Sequence, residues 1–313
     1  MNIKKIDISI VIVNWNTKKL LIDCIKSIIN TTKESTYEII LVDNNSSDGS
    51  VEYIREHYKD TIIIENKENK GFACANNQGM KAARGQYICL SNSDIKILDP
   101  CLDKMKKYMD ETPDAGMIAP KLLNGDYTLQ NNCRNFPGLI QILLNAFFIV
   151  NKNQIPSKIF KDIHEVNAVT GAFVMVRDQA LNEVGLFDER FFFYAEDIDW
   201  SKRFWNKGWK VIYFPLVRAI HYGGQSSSVA PIQYRLQMLK ADIQYIEKYF
   251  SIKKQYLFYI FLIIHHFIRV FASAIVLYMN NKNRKFLTYF KKREWICLKW
   301  LIKVKILGLK EKS

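Results

Sequence analysis

A chain of 313 residues, 49% of them hydrophobic, can bury a large core in one or two domains, and its composition excludes a disordered polypeptide. The net charge of +14 admits nucleic acid, an anionic membrane or a phosphorylated substrate as partner. Residues 280–313 hold eleven Lys and Arg against two Glu, nine of the fourteen excess charges, whereas an extended nucleic-acid surface would spread its charge further.

The N-terminal MNIKKIDISIVIVN is expected to carry no secretory signal: its apolar stretch is short, alternates with polar residues and is followed by no small-residue cleavage site. The β-branched run at 8–13 predicts a buried strand instead. Leu21, Cys24, Ile25 and Ile28 fall at helical spacing over 18–30, and 38–42 predicts a second strand. DNNSSDGS is a turn cluster in which Ser47 or Asp48 could cap a helix near 50–57. A third strand is predicted at 61–65, a helix between Gly71 and Gly85, and a fourth strand at 86–90 ending in SNSD. A helix over 101–109 and a short strand at 116–120 follow. Farther on, the pattern predicts a strand over 166–176, a short helix and a strand at 210–214 that precedes HYGG. The six cysteines include no Cys-x-x-Cys pair, and no histidine sits at zinc-ligand spacing from them, which fits a reducing cytosol.

Strands alternating with helices imply an α/β fold with a mostly parallel sheet. Ligands of such sheets sit at the carboxyl ends of the strands, where the polar clusters NWN, DNNSSDGS and SNSD all fall. The C-terminal third differs. Residues 256–279 are long enough to span a bilayer as a helix, but His265, His266 and Arg269 near its centre favour an interfacial position. Residues 139–150 are too short to span. Lys285, Lys292, Lys299, Lys303 and Lys310 lie within roughly 40° of one another on a helix bearing Trp300, Leu301, Val304 and Leu307 elsewhere. That is the basic, Trp-bearing pattern of a membrane surface helix. Two domains are expected, 1–230 and 231–313.

Candidate chemistry concentrates in a few residues. Asp43, just after a strand, could bind ribose or base hydroxyls, or serve only as a turn Asp bonded to its own backbone. Asp94 is one carboxylate for a cation that diphosphate oxygens would complete. Glu196, Asp197 and Asp199 crowd a helix start, where capping accounts for one carboxylate but hardly for three flanked by FFFY and Trp200. Aromatic walls beside a charge cluster suit a sugar site with a general base. His221 before Gly223 could ligate a metal or be structural.

In order and spacing, SIVIVNWN, VDNNSSDGS, NKGFACANNQGMKAARG, LSNSD, VTGAFVMVR, GLFDERFFFYAEDIDW and HYGG resemble the family 2 glycosyltransferases of GT-A fold, in particular the rhamnosyltransferase-like branch of bacterial polysaccharide synthesis. The resemblance covers about residues 7–225. It implies a Rossmann-like sheet flanked by helices, followed here by a helical, membrane-associating extension. Asn14, Asn16 and Asp43 would line the nucleoside pocket, and Gly71, Asn76 and Asn77 the wall beside it. Asn92 and Asp94 stand where the family's Asp-x-Asp motif stands, with Asp94 and His221 as ligands of Mg²⁺ or Mn²⁺. Asp197 would be the catalytic base, with Gly171, Ala172, Glu196 and Trp200 around donor sugar and acceptor. Asn92 departs from the motif and removes one negative charge. The implied partners are a dTDP- or UDP-sugar and a saccharide, lipid-linked for choice, at the cytoplasmic face of the inner membrane, with no nucleic acid. A degenerate paralogue would lack the base or metal residues, and a nucleotidyltransferase would carry a Gly-rich triphosphate loop where this chain has NWNTKK.

Overall fold

The computed structural model describes residues 6–140, 161–223, 231–279 and 284–308; most of 139–150, and Lys310, lie outside them. The described residues divide into two compact units, one running to Phe136 and resuming at 161, the other holding 137–140 and the residues from 231 onward.

In the first unit β1 (Ile8–Asn14), β2 (Tyr37–Asp43), β3 (Ile62–Glu65) and β4 (Tyr87–Asn92) lie parallel in the order β3-β2-β1-β4. The crossovers carry α1 (Lys18–Thr31), α2 (Ser50–His57) and α3 (Phe72–Ala82). Strand side chains alternate, so Ile8, Ile10, Ile12, Ile39, Leu41, Tyr87 and Cys89 pack on one face with α1 and α2. Val11, Ile40, Val42, Ile88 and Leu90 pack on the other, against α3. Both faces are covered, which is why the strands read as continuous apolar runs.

Beyond β4 the order turns mixed, and the short strands β7 (Leu129–Gln130), β8 (Cys133–Arg134) and β9 (His164–Glu165) stand off the main path. β11 (Phe173–Arg177) runs antiparallel to both β4 and β6 (Ala115–Leu123). β12 (Lys210–His221) lies parallel to β6, and β5 (Ile95–Ile97) closes the edge antiparallel to β12. Along the main path four of seven neighbouring pairs are parallel, so the expected mostly parallel sheet is present with β11 inserted against the grain. Helix α4 (Cys101–Glu111) covers the first face; α5 (Asp178–Val184) and α6 (Glu196–Asn206) cover the second.

Two expected strands have different bounds. The strand read at 166–176 is split into β10 (Ala168–Val169) and β11, and the break at Thr170–Ala172 frees backbone for other work. The strand read at 210–214 continues to His221 past a register shift between Phe214 and Arg218, which loops out 215–217, including Pro215 with no N–H for the ladder. Asp48, one of the two expected caps, serves two helices: its Oδ1 accepts from Ser50 N (3.1 Å) at the start of α2 and its Oδ2 from Lys18 N (2.8 Å) at the start of α1.

The second unit contains α7 (Pro231–Tyr249), α8 (Ile252–Met279), α9 (Arg284–Trp300) and a π-helical turn, Leu301–Ile306. Helix α8 is long and apolar enough to cross a membrane. Its exposed face is apolar, with Leu257, Ile260, Ile264, Phe267, Phe271, Ile275 and Tyr278 recurring every three or four residues. Its buried face carries His265, His266 and Ser273 beside Phe258 and Leu262. A water-soluble helix places these the other way round. On α9 and the π turn, Lys285, Lys292, Lys299 and Lys303 are all exposed.

Candidate active site

Register brings the polar clusters together. Asn14, the last residue of β1, is the register partner of Asp43, the last of β2, and Val13 that of Asn92. Asn14 is fully buried, and its Nδ2 donates to Asp43 Oδ1 (2.8 Å) and to the hydroxyls of Ser50 (2.9 Å) and Ser46 (3.0 Å). Its Oδ1 accepts from the Thr17 hydroxyl (2.7 Å), which lies 2.7 Å from that of Ser93. Asp43 also accepts from Ser46 N (2.8 Å) and the Ser46 hydroxyl (2.6 Å), so it is a turn-forming Asp at the strand edge. Asn16 sits at φ +53, a conformation asparagine tolerates, and its Oδ1 accepts from Ser47 N (2.8 Å).

The next corner joins residues far apart in sequence. Antiparallel pairing of β5 with β12 makes His221 the register partner of Ile95, directly after Asp94. His221 Nε2 is 3.4 Å from Asp94 Oδ1 and 3.3 Å from Asn92 Nδ2. The ring's other nitrogen, Nδ1, is 2.7 Å from Gln130 Oε1. An amide oxygen only accepts, so Nδ1 carries a proton, and in the neutral ring the lone pair is on Nε2. The Gln130 amide is oriented by its own Nε2, which donates to Asn124 Oδ1 (2.9 Å) and His221 O (3.1 Å). Asp94 Oδ2 accepts from Gly223 N (2.9 Å), and Gly223 at φ +61 adopts the left-handed turn that aims this N–H. One carboxylate and one imidazole nitrogen held in this way fit a divalent cation that takes oxygen and nitrogen ligands and draws the rest of its shell from phosphate and water.

The third corner is the start of α6. Tyr194 (φ +75) and Ala195 (φ +64) are consecutive left-handed residues without glycine, a conformation that costs about 1–3 kcal/mol each. They turn the chain so that three carboxylates diverge. Asp199 is fully buried and paired with Arg203 (2.9 Å), whose guanidinium also donates to the carbonyls of Val184, Gly185 and Leu186. Asp197 Oδ2 accepts from Gly171 N (3.3 Å) and its Oδ1 from Ile198 N (2.8 Å). Glu196 is buried, and its Oε2 has no hydrogen-bond partner among the described residues. Burial, and then the charge of Asp197 beside it, pushes the Glu196 carboxyl well above the usual carboxylate range.

A short backbone bridge connects the last two corners. Asn92 N donates to Ala172 O (2.8 Å), and the preceding residue, Gly171, donates to Asp197. The split between β10 and β11 makes this bridge possible. Gly71 is placed against the aromatic loop, where a Cβ would come within 2.5 Å of Phe192 O, and Phe72 N donates to that same carbonyl (2.8 Å). Two residues expected in the wall, Asn76 and Asn77, and one expected beside the donor sugar, Trp200, are interior. Asn76 is 1% exposed and donates to Phe72 O. Asn77 spends its amide on Phe187 N, Phe187 O and Glu189, fastening α3 to the loop before α6. Trp200 packs on Phe187 and Phe204, and its Nε1 donates to Gly185 O (2.9 Å), so it supports α6 from within the core.

Known proteins resemble this chain in sequence and in fold. The family model described as Glycosyl transferase family 2 matches residues 9–185, and that described as Glycosyl transferase family group 2 matches residues 98–301. The N-acetylglucosaminyl-diphospho-decaprenol L-rhamnosyltransferase of Mycobacterium tuberculosis is 24% identical over 224 residues, which cover 66% of this chain and 73% of the relative. The rhamnosyltransferase WbbL of Escherichia coli is 28% identical over 210 residues, covering 64% of this chain and 79% of the relative. Among solved structures, S. aureus TarS with UDP-GlcNAc superposes with a TM-score of 0.56 at 14% identity, over 98% of this chain and 93% of that one. GalNAc-T7 with UDP, GalNAc and Mn²⁺ gives a TM-score of 0.61 at 17% identity, over 98% of this chain and 58% of that one.

Proposed function

Because the chain belongs to glycosyl transferase family 2 and is a glycosyltransferase, we propose that it moves rhamnose or a similar hexose from a dTDP- or UDP-sugar to a hydroxyl of a lipid-linked saccharide, with inversion, in cell-surface polysaccharide synthesis. The observation that carries this reading is the bridge Asn92–Ala172–Gly171–Asp197, in which Asn92 N meets Ala172 O and Gly171 N meets the Asp197 carboxylate, so that a cation corner is tied to a base corner.

In this reading Asn16 and Asp43 hold the nucleoside, with Asn14 orienting Asp43 through its amide, and Asp94 and His221 would hold Mg²⁺ or Mn²⁺. When bound, the cation supplies Lewis-acid stabilisation to the diphosphate as its charge grows. Asp197 removes the proton as the acceptor hydroxyl attacks the anomeric carbon on the face opposite the diphosphate. The new C–O bond forms, the bond from that carbon to the diphosphate oxygen breaks, and the diphosphate leaves with the electron pair. A single base on the acceptor side produces inversion. Burial and the neighbouring Asp197 favour the uncharged form of the Glu196 carboxyl, which limits negative charge beside Asp197. Asn92 in place of an acidic residue lowers the site's charge, so tight cation binding requires the donor's phosphates. The apolar face of α8 and the lysines of α9 support a position on the cytoplasmic face of the inner membrane.

Thermal-shift and hydrolysis measurements with UDP-, dTDP- and GDP-sugars, each with Mn²⁺, Mg²⁺ or EDTA, test the reading on the full chain in detergent. One donor should stabilise the protein only with metal, by about 2.7 kcal/mol at a hundred times its Kd. Folded protein that responds to no nucleotide sugar would overturn it.

A further inference from the structure

The second unit holds a polar cluster that sugar transfer does not use. Glu294, on α9, is fully buried; its Oε1 accepts from Arg293 (2.7 and 3.0 Å) and its Oε2 from His266 Nδ1 (2.8 Å). Arg269, on α8, has its Nε 3.7 Å from the same Oε2. The guanidiniums of Arg269 and Arg293 both stack on Phe290, at 4.6 and 4.7 Å, which fixes their planes. A third arginine, Arg235 on α7, is near enough for its charge to bear on His265, Arg269 and Cys297, yet its buried Nε finds no acceptor among the described residues. Asp242 feels Arg235's charge, which opposes the upward push of burial on its carboxyl. His266 is fully buried and, with Nδ1 engaged by Glu294, its Nε2 is likewise without a partner.

Two guanidiniums thus bear on one carboxylate that is already saturated, and the charge of a third, Arg235, reaches Arg269 and His265 beside it. Burying positive charge is costly unless anions match it, and an excess of it between apolar helices marks a place for an anion from outside the chain. His265, His266 and Glu294 do set one ligand atom each within 4.8 Å of one another, a spacing that a divalent cation could use. The arginines oppose this, since both Glu294 oxygens are spent on them and on His266, and a cation would sit among like charges. Arg269 and Arg293, with side chains 19% and 21% exposed, form the open rim. Planar, fixed guanidiniums suit phosphate oxygens, and the apolar outer face of α8 suits the chain attached to such a headgroup.

We propose that α7, α8 and α9 form a binding site for the phosphate or diphosphate headgroup of a membrane lipid, built on Arg235, Arg269 and Arg293. Its assignment to the acceptor's own lipid diphosphate rests on the function proposed above. The site itself does not.

The test is equilibrium binding of radiolabelled farnesyl diphosphate to the full chain in neutral detergent with EDTA, set against farnesol, inorganic diphosphate and phosphatidylglycerol as competitors. Farnesyl diphosphate should bind and farnesol should fail to displace it. Displacement by inorganic diphosphate alone assigns the site to a diphosphate, and equal displacement by phosphatidylglycerol assigns it to bulk anionic lipid; both support a phosphate site. Arg235→Gln leaves the contacts of Glu294 with His266 and Arg293 intact, so the protein should fold, and it should bind about tenfold more weakly, the loss of one charge-assisted hydrogen bond. Lys299→Gln, on the exposed face of α9, should bind like the parent. No binding beyond that of farnesol, equal weakening by Lys299→Gln, or stoichiometric Zn²⁺ binding abolished by His266→Ala would each overturn the proposal. Donor hydrolysis in the same preparation reports the other unit. A protein that hydrolyses its donor but binds no prenyl diphosphate sinks this site alone, and the reverse sinks the preceding reading alone.

Discussion

Gln130 Oε1 lies 2.7 Å from His221 Nδ1, and through that contact a residue with no charge sets which nitrogen of His221 faces Asp94. Metal-ligating histidines depend on such partners for tautomer and ring orientation, and losing one typically lowers metal affinity by about 10- to 100-fold. Gln130→Leu should therefore raise the Mn²⁺ concentration needed for half-maximal donor hydrolysis by about that factor. Gln130→Glu keeps an acceptor for Nδ1–H and should stay near the parent. The measurement is a Mn²⁺ titration at fixed donor. An unchanged midpoint for Gln130→Leu would mean that His221 is oriented by something else, or ligates nothing.

Much of this site is readable from spacing. The polar ends of β1, β2 and β4 stand at one sheet edge because parallel strands in register end together, which hydrophobic patterning reveals. Gln130 is not readable, since it lies in a two-residue strand with no motif and meets His221 only through the β6–β12 pairing. The length of β12 is hidden by Pro215, which looks like a strand terminator until the bulge is seen. Asn77 and Trp200 sit in segments that look functional, and their polar atoms are consumed by backbone groups more than a hundred residues away in one case and fifteen in the other. Local sequence holds no trace of such partners. Glu294 belongs to a lysine-rich helix whose periodicity marks the exposed face, and nothing in that periodicity shows that one acid is the centre of the buried face.

Glu196 leads to a pH dependence of stability. Its carboxyl titrates well above the unfolded value of about 4.3, so between those two pKa values the folded chain holds a proton that the unfolded chain has released. The contribution is fully present below pH of about 4.3 and is lost as pH rises toward the folded value. Glu196→Gln keeps the shape and an N–H donor and has nothing to titrate. Its melting temperature relative to the parent should therefore climb steadily from pH 4.5 to pH 8 by about the shape of one titration. Parallel melting curves for the two proteins across this range would show that Glu196 is ionised in the fold and that its orphaned Oε2 is not protonated.

Asp197 separates binding from chemistry. Its carboxylate accepts from Gly171 N and Ile198 N, and neither contact involves the residues assigned to the nucleoside or the cation. Asp197→Asn keeps the volume and one acceptor while removing the proton-accepting oxygen. Turnover of donor and acceptor should fall by roughly a hundred- to ten-thousandfold, the usual contribution of a general base. The metal-dependent thermal shift given by the nucleotide sugar should be almost unchanged, because the Asp94–His221 corner is untouched. Read together, a loss confined to turnover assigns Asp197 to the acceptor's proton. If the thermal shift collapses along with turnover while the variant remains folded, Asp197 holds the donor, and the proton must be taken by another group at this corner.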